Sequence, residues 1–378
     1  MPDFKTIADF RKDNGEAIRR VCRRFIELAR QVGLFADAMV AIDGSKFKAV
    51  NNRDKNFTPR KLKARVQQLE ESIDRYLAEL DRADREPSSV PPARVSQLGQ
   101  KIASVREHLS KLGKIEVQLK HTADQQISLT DPDARSMATS GRGTGVVGYN
   151  VQAAVDTKHH MIVAHDVVNV GHDRTQLSAM GRSAREATGQ EKITVLADRG
   201  HFKGEEILQC VQDGITALVP KPLTSNSKAD GRFDKRDFIY NAKRNEYRCP
   251  AGERAIWRMT TVEGTLTLHR YWPSACPRCS MKPQCTPSDY RRIARWEHEE
   301  VLDAMQRRLD RTPQASRLRR QAVEHAFGTL KAWMGATHFL TKTLPKVRTE
   351  MSLHVLAYNL KRAVNILGTE RLIAHIQA

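Results

Sequence analysis

The sequence predicts an α/β chain, a mixed sheet flanked by helices, with a helical-hairpin insertion and a small cysteine-bearing insertion. Three observations carry this. Short apolar runs such as 38–42 and 193–197 alternate with amphipathic stretches of helical period, the pattern of partly parallel strands covered on both faces. Between residues 62 and 112 aliphatic side chains recur at alternating three- and four-residue spacing, as in packed helices. From 221 to 296 the sequence turns polar and gathers four of the six cysteines.

Taken in order, residues 1–54 supply N-terminal helices and a first core strand. Ile7, Phe10, Ile18, Val21, Phe25, Leu28 and Ala29 follow helical spacing, and the run Ala38-Met39-Val40-Ala41-Ile42 predicts a buried strand ending at Asp43-Gly44-Ser45-Lys46. Residues 53–63 read as a basic linker. Within 55–140, the stripe Leu62, Val66, Leu69, Ile73, Tyr76, Leu80 stops at the Pro/Ser-rich segment 87–92. A second stripe follows as Val95, Leu98, Ile102, Val105, Leu109 and Leu112, giving an antiparallel helical hairpin. These residues are packing residues.

Residues 141–220 return to the core. The glycines at 141, 143 and 145 are a turn or link, since no helix follows to make a phosphate loop. Strands are expected at 146–155, 161–168, 193–197 and 215–219, with helices at 173–187 and 205–212. The fourth segment, 221–296, is the cysteine-bearing insertion. It is expected to be too short for a core of its own, so Trp257, Trp272 and Trp296 are read as packing the small subdomain, with stacking on a base as the competing reading. Residues 297–378 are helical and complete the core.

Lys and Arg number 63 against 44 Asp and Glu, a formal charge of +19, which calls for a polyanionic partner such as nucleic acid. The first residues lack a signal-peptide pattern, and no apolar run is long enough to cross a bilayer. The expectation is a cytoplasmic, nucleoid-associated protein with no membrane partner.

One acid interrupts the basic helix 319–331. Arg320 and Glu324 stand at i and i+4, and Lys331 comes seven residues after Glu324. Alone, such a pair is a surface ion pair. Asp43 and Asp198 change the weighing, because each follows an apolar strand and is trailed by a glycine, at the sheet edge where α/β proteins hold ligands. Three carboxylates repel unless a pair of Mg²⁺ or Mn²⁺ ions lies among them, and such a pair clamps a phosphoryl transfer. Lys46, Lys48, Arg199, Arg320 and Lys331 are the expected phosphate contacts.

These residues resemble the DDE transposases of bacterial insertion sequences, which have an RNase H-like catalytic fold. The resemblance runs over nearly the whole chain. Its blocks are Pro2-Asp3-Phe4-Lys5-Thr6, Asp43-Gly44-Ser45-Lys46-Phe47, Gly148-Tyr149-Asn150-Val151-Gln152, Ala197-Asp198-Arg199-Gly200, Val323-Glu324-His325 and 354–362. It implies that Asp43, Asp198 and Glu324 are the catalytic, metal-binding triad for two Mg²⁺ or Mn²⁺. It further implies that Arg320 and Lys331 match the basic positions of the family's Tyr-x2-Arg-x3-Glu-x6-Lys signature. Arg317 stands at the tyrosine position, and His201 stands where many relatives place an aromatic residue. The implied activity is metal-dependent cleavage and strand transfer of double-stranded DNA, element ends and target, by a homodimer. Two alternatives stay open, a structure-directed nuclease with the same triad and a non-catalytic DNA-binding regulator. Similar transposases carry a DNA-binding segment ahead of the Pro2-Asp3-Phe4 block, so the expectation is an N-terminally shortened chain.

Cys249, Cys276, Cys279 and Cys285 include one C-x2-C pair and resemble a structural zinc site, with reduced apolar packing as the competing reading. Cys22 and Cys210 are expected in the core. His159, His160 and His172 are read as turn or surface residues.

Overall fold

Asn14 breaks the N-terminal helical pattern in two. In the computed structural model, which describes residues 3–35, 38–86, 91–122, 124–137, 145–222 and 226–377, helix α1 (Phe4–Asp13) is capped by Asp3, whose carboxylate accepts from Thr6 N–H at 2.7 Å. Helix α2 (Gly15–Gln31) follows at once. Strand β1 (Met39–Lys48) leads to a short β2 (Asn56–Phe57). Thr58 caps α3 (Pro59–Arg85), and α4 (Pro92–His121) runs back to β3 (Ile127–Ser128), which pairs antiparallel with β2. Then come β4 (Arg135–Met137), β5 (Val146–Asp156), β6 (Ile162–Val168), α5 (Leu177–Thr188), β7 (Ile193–Leu196), α6 (Gly204–Gln212) and β8 (Ile215–Leu218). A short α7 (Asn226–Ala229) precedes β9 (Ile239–Asn241), β10 (Glu246–Arg248), β11 (Arg254–Glu263), β12 (Leu266–Trp272) and β13 (Ile293–Trp296). Helices α8 (Glu299–Asp310), α9 (Ala315–Gly328), α10 (Leu344–Leu367) and α11 (Thr369–Gln377) close the chain.

The chain divides into two units. One comprises Met1–Ala36, Asp43–Asp173 and Val323–Ala378, the other Asp37–Ile42 and Arg174–Ala322. Strand β1 passes through both, its first half with the second unit and its second half with the first. The strand order is β4-β5-β1-β7-β8, with β6 paired to β5.

In the first unit β5 pairs antiparallel with β4 through its first residues and with β6 from Asn150 onward. Backbone approaches so closely at Gly148 that an added Cβ would lie 1.9 Å from Phe47 O, so glycine is required there. Helix α10 packs on α2 and β6. Its polar side chains hold the β5–β6 turn: Asn359 accepts from Ile162 N–H at 2.9 Å and donates to Ile162 O at 2.8 Å, and Arg362 donates to His159 O. The hairpin α3–α4 has its own core of Leu62, Leu69, Leu112 and Leu119 with Val66, Val105 and Leu109 packed on it. Arg94 closes it with a bidentate bond to Glu79 at 2.9 and 3.2 Å. All of these core residues but Leu119 belong to the two aliphatic stripes read from the sequence. The Pro/Ser turn at 87–90 and the glycines at 141–144 lie outside the described residues.

In the second unit β1 pairs parallel with β7 (Met39↔Thr194, Val40↔Val195, Ala41↔Leu196) and β7 pairs parallel with β8. Val40, Ala41 and Ile42 are buried, as an apolar run without alternation requires. The remaining strands make a separate antiparallel sheet in the order β13-β12-β11-β10-β9. Phe238, Tyr247, Ala255, Tyr271 and Ile293 form its core. This corrects the expectation that the segment has no core, because interleaved aromatics supply large buried area from few residues. Trp296 is buried, whereas Trp257 is 49% exposed, so packing does not account for all three tryptophans.

Several boundaries differ from the sequence reading. Helix α3 begins at Pro59, inside the segment read as a basic linker, because Thr58 and Pro59 make a strong helix start. Helix α5 begins at Leu177, not Asp173. Strand β1 does not end at Asp43 but continues to Lys48, since its polar second half lies beside β5. Among the described residues no helix is long and apolar enough to cross a membrane.

Candidate metal and phosphate site

The register of β1 against β7 ends at the pair Ala41↔Leu196. Asp43 comes two residues later within β1, and Asp198 comes two residues later, just past the end of β7. Strand side chains alternate with a period of two, so Asp43, still within β1, shares its strand face with Ala41.

Asp43 belongs to the first unit and is partly buried, with Oδ1 accepting from Gly44 N–H at 2.9 Å. Behind Gly44 lies a polar network that the sequence reading missed. Asp173 Oδ1 accepts from Gln152 Nε2 at 2.6 Å, Asn150 Nδ2 at 2.7 Å and Lys46 Nζ at 3.3 Å. Asn150 and Gln152 are fully buried on β5. A Cβ at Gly44 would sit 2.2 Å from both Asp173 Oδ1 and Gln152 Nε2, so the network presses against β1 beside Asp43. A signal was present: Asn150 and Gln152 alternate on an otherwise apolar strand, which is costly unless both amides are satisfied. Lys46, expected at phosphate, is paired with Asp173; Lys48 is exposed.

Glu324 is exposed on α9, whose buried face carries Ala322, Val323, Ala326 and Phe327. The helix is fixed beside Glu324. His325 Nδ1 lies 3.0 Å from Tyr358 Oη, and that hydroxyl donates to His160 O at 2.5 Å. The His160 and His325 rings lie 5.1 Å apart, and burial lowers both imidazole pKa values below the usual histidine range. His160 takes φ +55°, a left-handed turn, and is tied into this cluster instead of standing free at the surface.

Beyond Gly328 the chain continues as a π-helical turn, Thr329–Trp333, a feature the sequence did not signal. It delivers Lys331 to β1, where Nζ donates to Ser45 Oγ at 2.7 Å and Lys46 O at 3.0 Å and lies 4.5 Å over the Phe47 ring. Burial, then the nearby Lys46 charge, pushes its pKa below the ordinary lysine value. Within this unit, Lys331 is therefore a strap from the C-terminal segment to the strand that carries Asp43.

Asp198, in the second unit, takes extended backbone and caps the turn Arg199–His201. Its Oδ1 accepts from Gly200 N–H at 2.8 Å and lies 2.9 Å from His201 Nδ1. His201 is fully buried, and its bond is the leading reason that the Asp198 carboxyl titrates below the usual aspartate range. Burial opposes this shift, while charges including that of Arg319 assist it. His201 thus orients the acid and keeps it ionised. Arg199 and Arg320 are exposed. Two of the three acids, Asp43 and Glu324, lie in one unit and Asp198 in the other.

The sequence matches the family model described as the transposase DDE domain over residues 120–360. The chain belongs to the DDE transposase family. No curated protein and no solved structure matches it. The matched span of this transposase takes in Asp198, Glu324 and Lys331 and stops short of Asp43. The mixed sheet with flanking helices fits the RNase H-like fold that the resemblance implied. Membership brings DNA as partner, phosphoryl transfer as reaction class and a divalent metal as cofactor.

Proposed function

We propose that this transposase cuts the ends of an insertion sequence and joins them to target DNA, using Asp43, Asp198 and Glu324 to hold two Mg²⁺ or Mn²⁺ ions. The observation that carries the reading is the register. Asp43 and Asp198 follow the last parallel β1–β7 pair by the same two residues, where that parallel pairing stops. Carboxylate oxygens suit hard divalent ions, and His201 leaves Asp198 anionic and ready to bind one.

The bound ions would activate water or a 3′ hydroxyl and offset charge on the phosphoryl group. The chain's own residues orient the rest. Tyr358 and His325 fix the helix that presents Glu324, and Lys331 fixes the following turn to β1. Exposed Lys48, Arg199 and Arg320 bind backbone phosphates, and Lys46 steadies Asp173. Two copies pair two element ends.

The test incubates purified protein with duplex carrying the element's ends, supercoiled target and Mg²⁺. Nicked ends together with joined donor–target product support the reading. Cleavage without joining would make the protein a nuclease. DNA binding without metal-dependent cleavage would make it a regulator.

A further inference from the structure

We propose that Cys249, Cys276, Cys279 and Cys285 form a structural zinc site that fastens the turns of the five-stranded antiparallel sheet. The four side chains come from three turns of the second unit, and all line one cavity of about 30 Å³, room for a single water-sized occupant. Cys249 sits between β10 and β11, Cys276 and Cys279 follow β12, and Cys285 precedes β13.

Backbone bonds fix each of the three turns. Cys249 O accepts from Gly252 N–H at 2.8 Å, and Cys249 N–H donates to Glu253 O at 2.9 Å. Gly252 takes φ +82°, which only glycine adopts without strain. The Cys276–Arg278 turn folds the C-x2-C pair onto itself, with Cys279 N–H bonded to Cys276 O at 3.3 Å. Cys285 N–H bonds to Lys282 O at 3.0 Å.

The chemistry of the lining agrees. Soft thiolates select zinc over the hard ions expected at the three acids. Four thiolates around Zn²⁺ leave two negative charges, and Lys282 and Arg291 line the same cavity. Among the described residues no three cysteine sulfurs converge to within 4.8 Å. A tetrahedral ZnS₄ edge is about 3.8 Å from bonds of about 2.3 Å, so the three turns would have to draw together to hold the metal. Cys249 and Cys285 already pack against the Phe238–Tyr247–Tyr271 core.

The test reads metal content and thiol protection on the full-length chain, independently of any DNA reaction. Protein purified without chelator should carry one zinc per chain by elemental analysis. Chelation should release it and expose four more thiols to a thiol reagent. Co²⁺ added to the stripped protein should give the ligand-field bands of a tetrahedral thiolate site. Cys276→Ser and Cys285→Ser should lose the metal, whereas Cys22→Ser and Cys210→Ser should keep it. Folded wild-type protein that takes up no zinc from excess Zn²⁺, with its four thiols equally reactive with and without the metal, overturns the proposal.

Discussion

Gly44→Ala is the most informative single perturbation of the site. The new methyl would lie 2.2 Å from Asp173 Oδ1 and from Gln152 Nε2. Restoring ordinary contact at roughly 3.5 Å requires a shift of about 1.3 Å. Gln152 is fully buried and cannot swing into solvent. A displacement that large breaks at least one of the bonds of 2.6 and 2.7 Å that Asp173 accepts from Gln152 and Asn150. Overpacking costs about 1–3 kcal/mol, and a lost bond to a charged group about 1.5–3 kcal/mol, so the expected loss is about 3–5 kcal/mol. In a unit of this size each kcal/mol lowers the melting temperature by about 2–4 °C, which predicts a fall of roughly 10 °C by calorimetry. Adding Gln152→Ala removes one of the two clashing atoms and should recover part of the loss, a coupling of about 1 kcal/mol or more. A Gly44→Ala protein melting within about 2 °C of wild type would refute the idea that the Asp173 network packs against the strand carrying Asp43.

Other outcomes follow from the same contacts. His201→Ala removes the leading cause of the low Asp198 pKa. An acid whose folded pKa is depressed stabilises the protein above its unfolded value of 3.8 and loses that contribution as pH falls through the lower folded value. The variant should therefore begin acid unfolding at higher pH, read by circular dichroism, and a midpoint that stays put or moves down contradicts this. Tyr358→Phe loses the hydroxyl that bridges His160 O and His325 Nδ1, which should cost about 1–2 kcal/mol in denaturant unfolding and slow cleavage more than it weakens DNA binding. Equal loss of both would show that the cluster serves the fold alone.

Local patterns carried most of what the sequence disclosed. The α3–α4 hairpin was legible because its contacts repeat every three or four residues along the chain. Asp43 and Asp198 stood out because each follows an uninterrupted apolar run. The extension of β1 to Lys48 was hidden, since Gly44, Ser45 and Lys46 look like a turn until β5 and Lys331 are seen beside them. Asp173 was missed because its partners lie 21, 23 and 127 residues away, and no periodicity links such positions. His201 looked like a mere departure from an aromatic position, and its bond to Asp198 is visible only in three dimensions. The aromatic core of the cysteine-bearing sheet escaped notice because Tyr247, Tyr271 and Ile293 come from three strands separated by turns.

Single-turnover cleavage of element-end duplex by Asp198→Asn, measured beside DNA binding by the same protein, tests the central claim most directly. The substitution keeps the shape of the side chain and removes the charge that would hold the metal. The account predicts that Mg²⁺-dependent cleavage disappears while DNA binding is unchanged or tighter. Cleavage at the wild-type rate, with the same Mg²⁺ dependence, would contradict it.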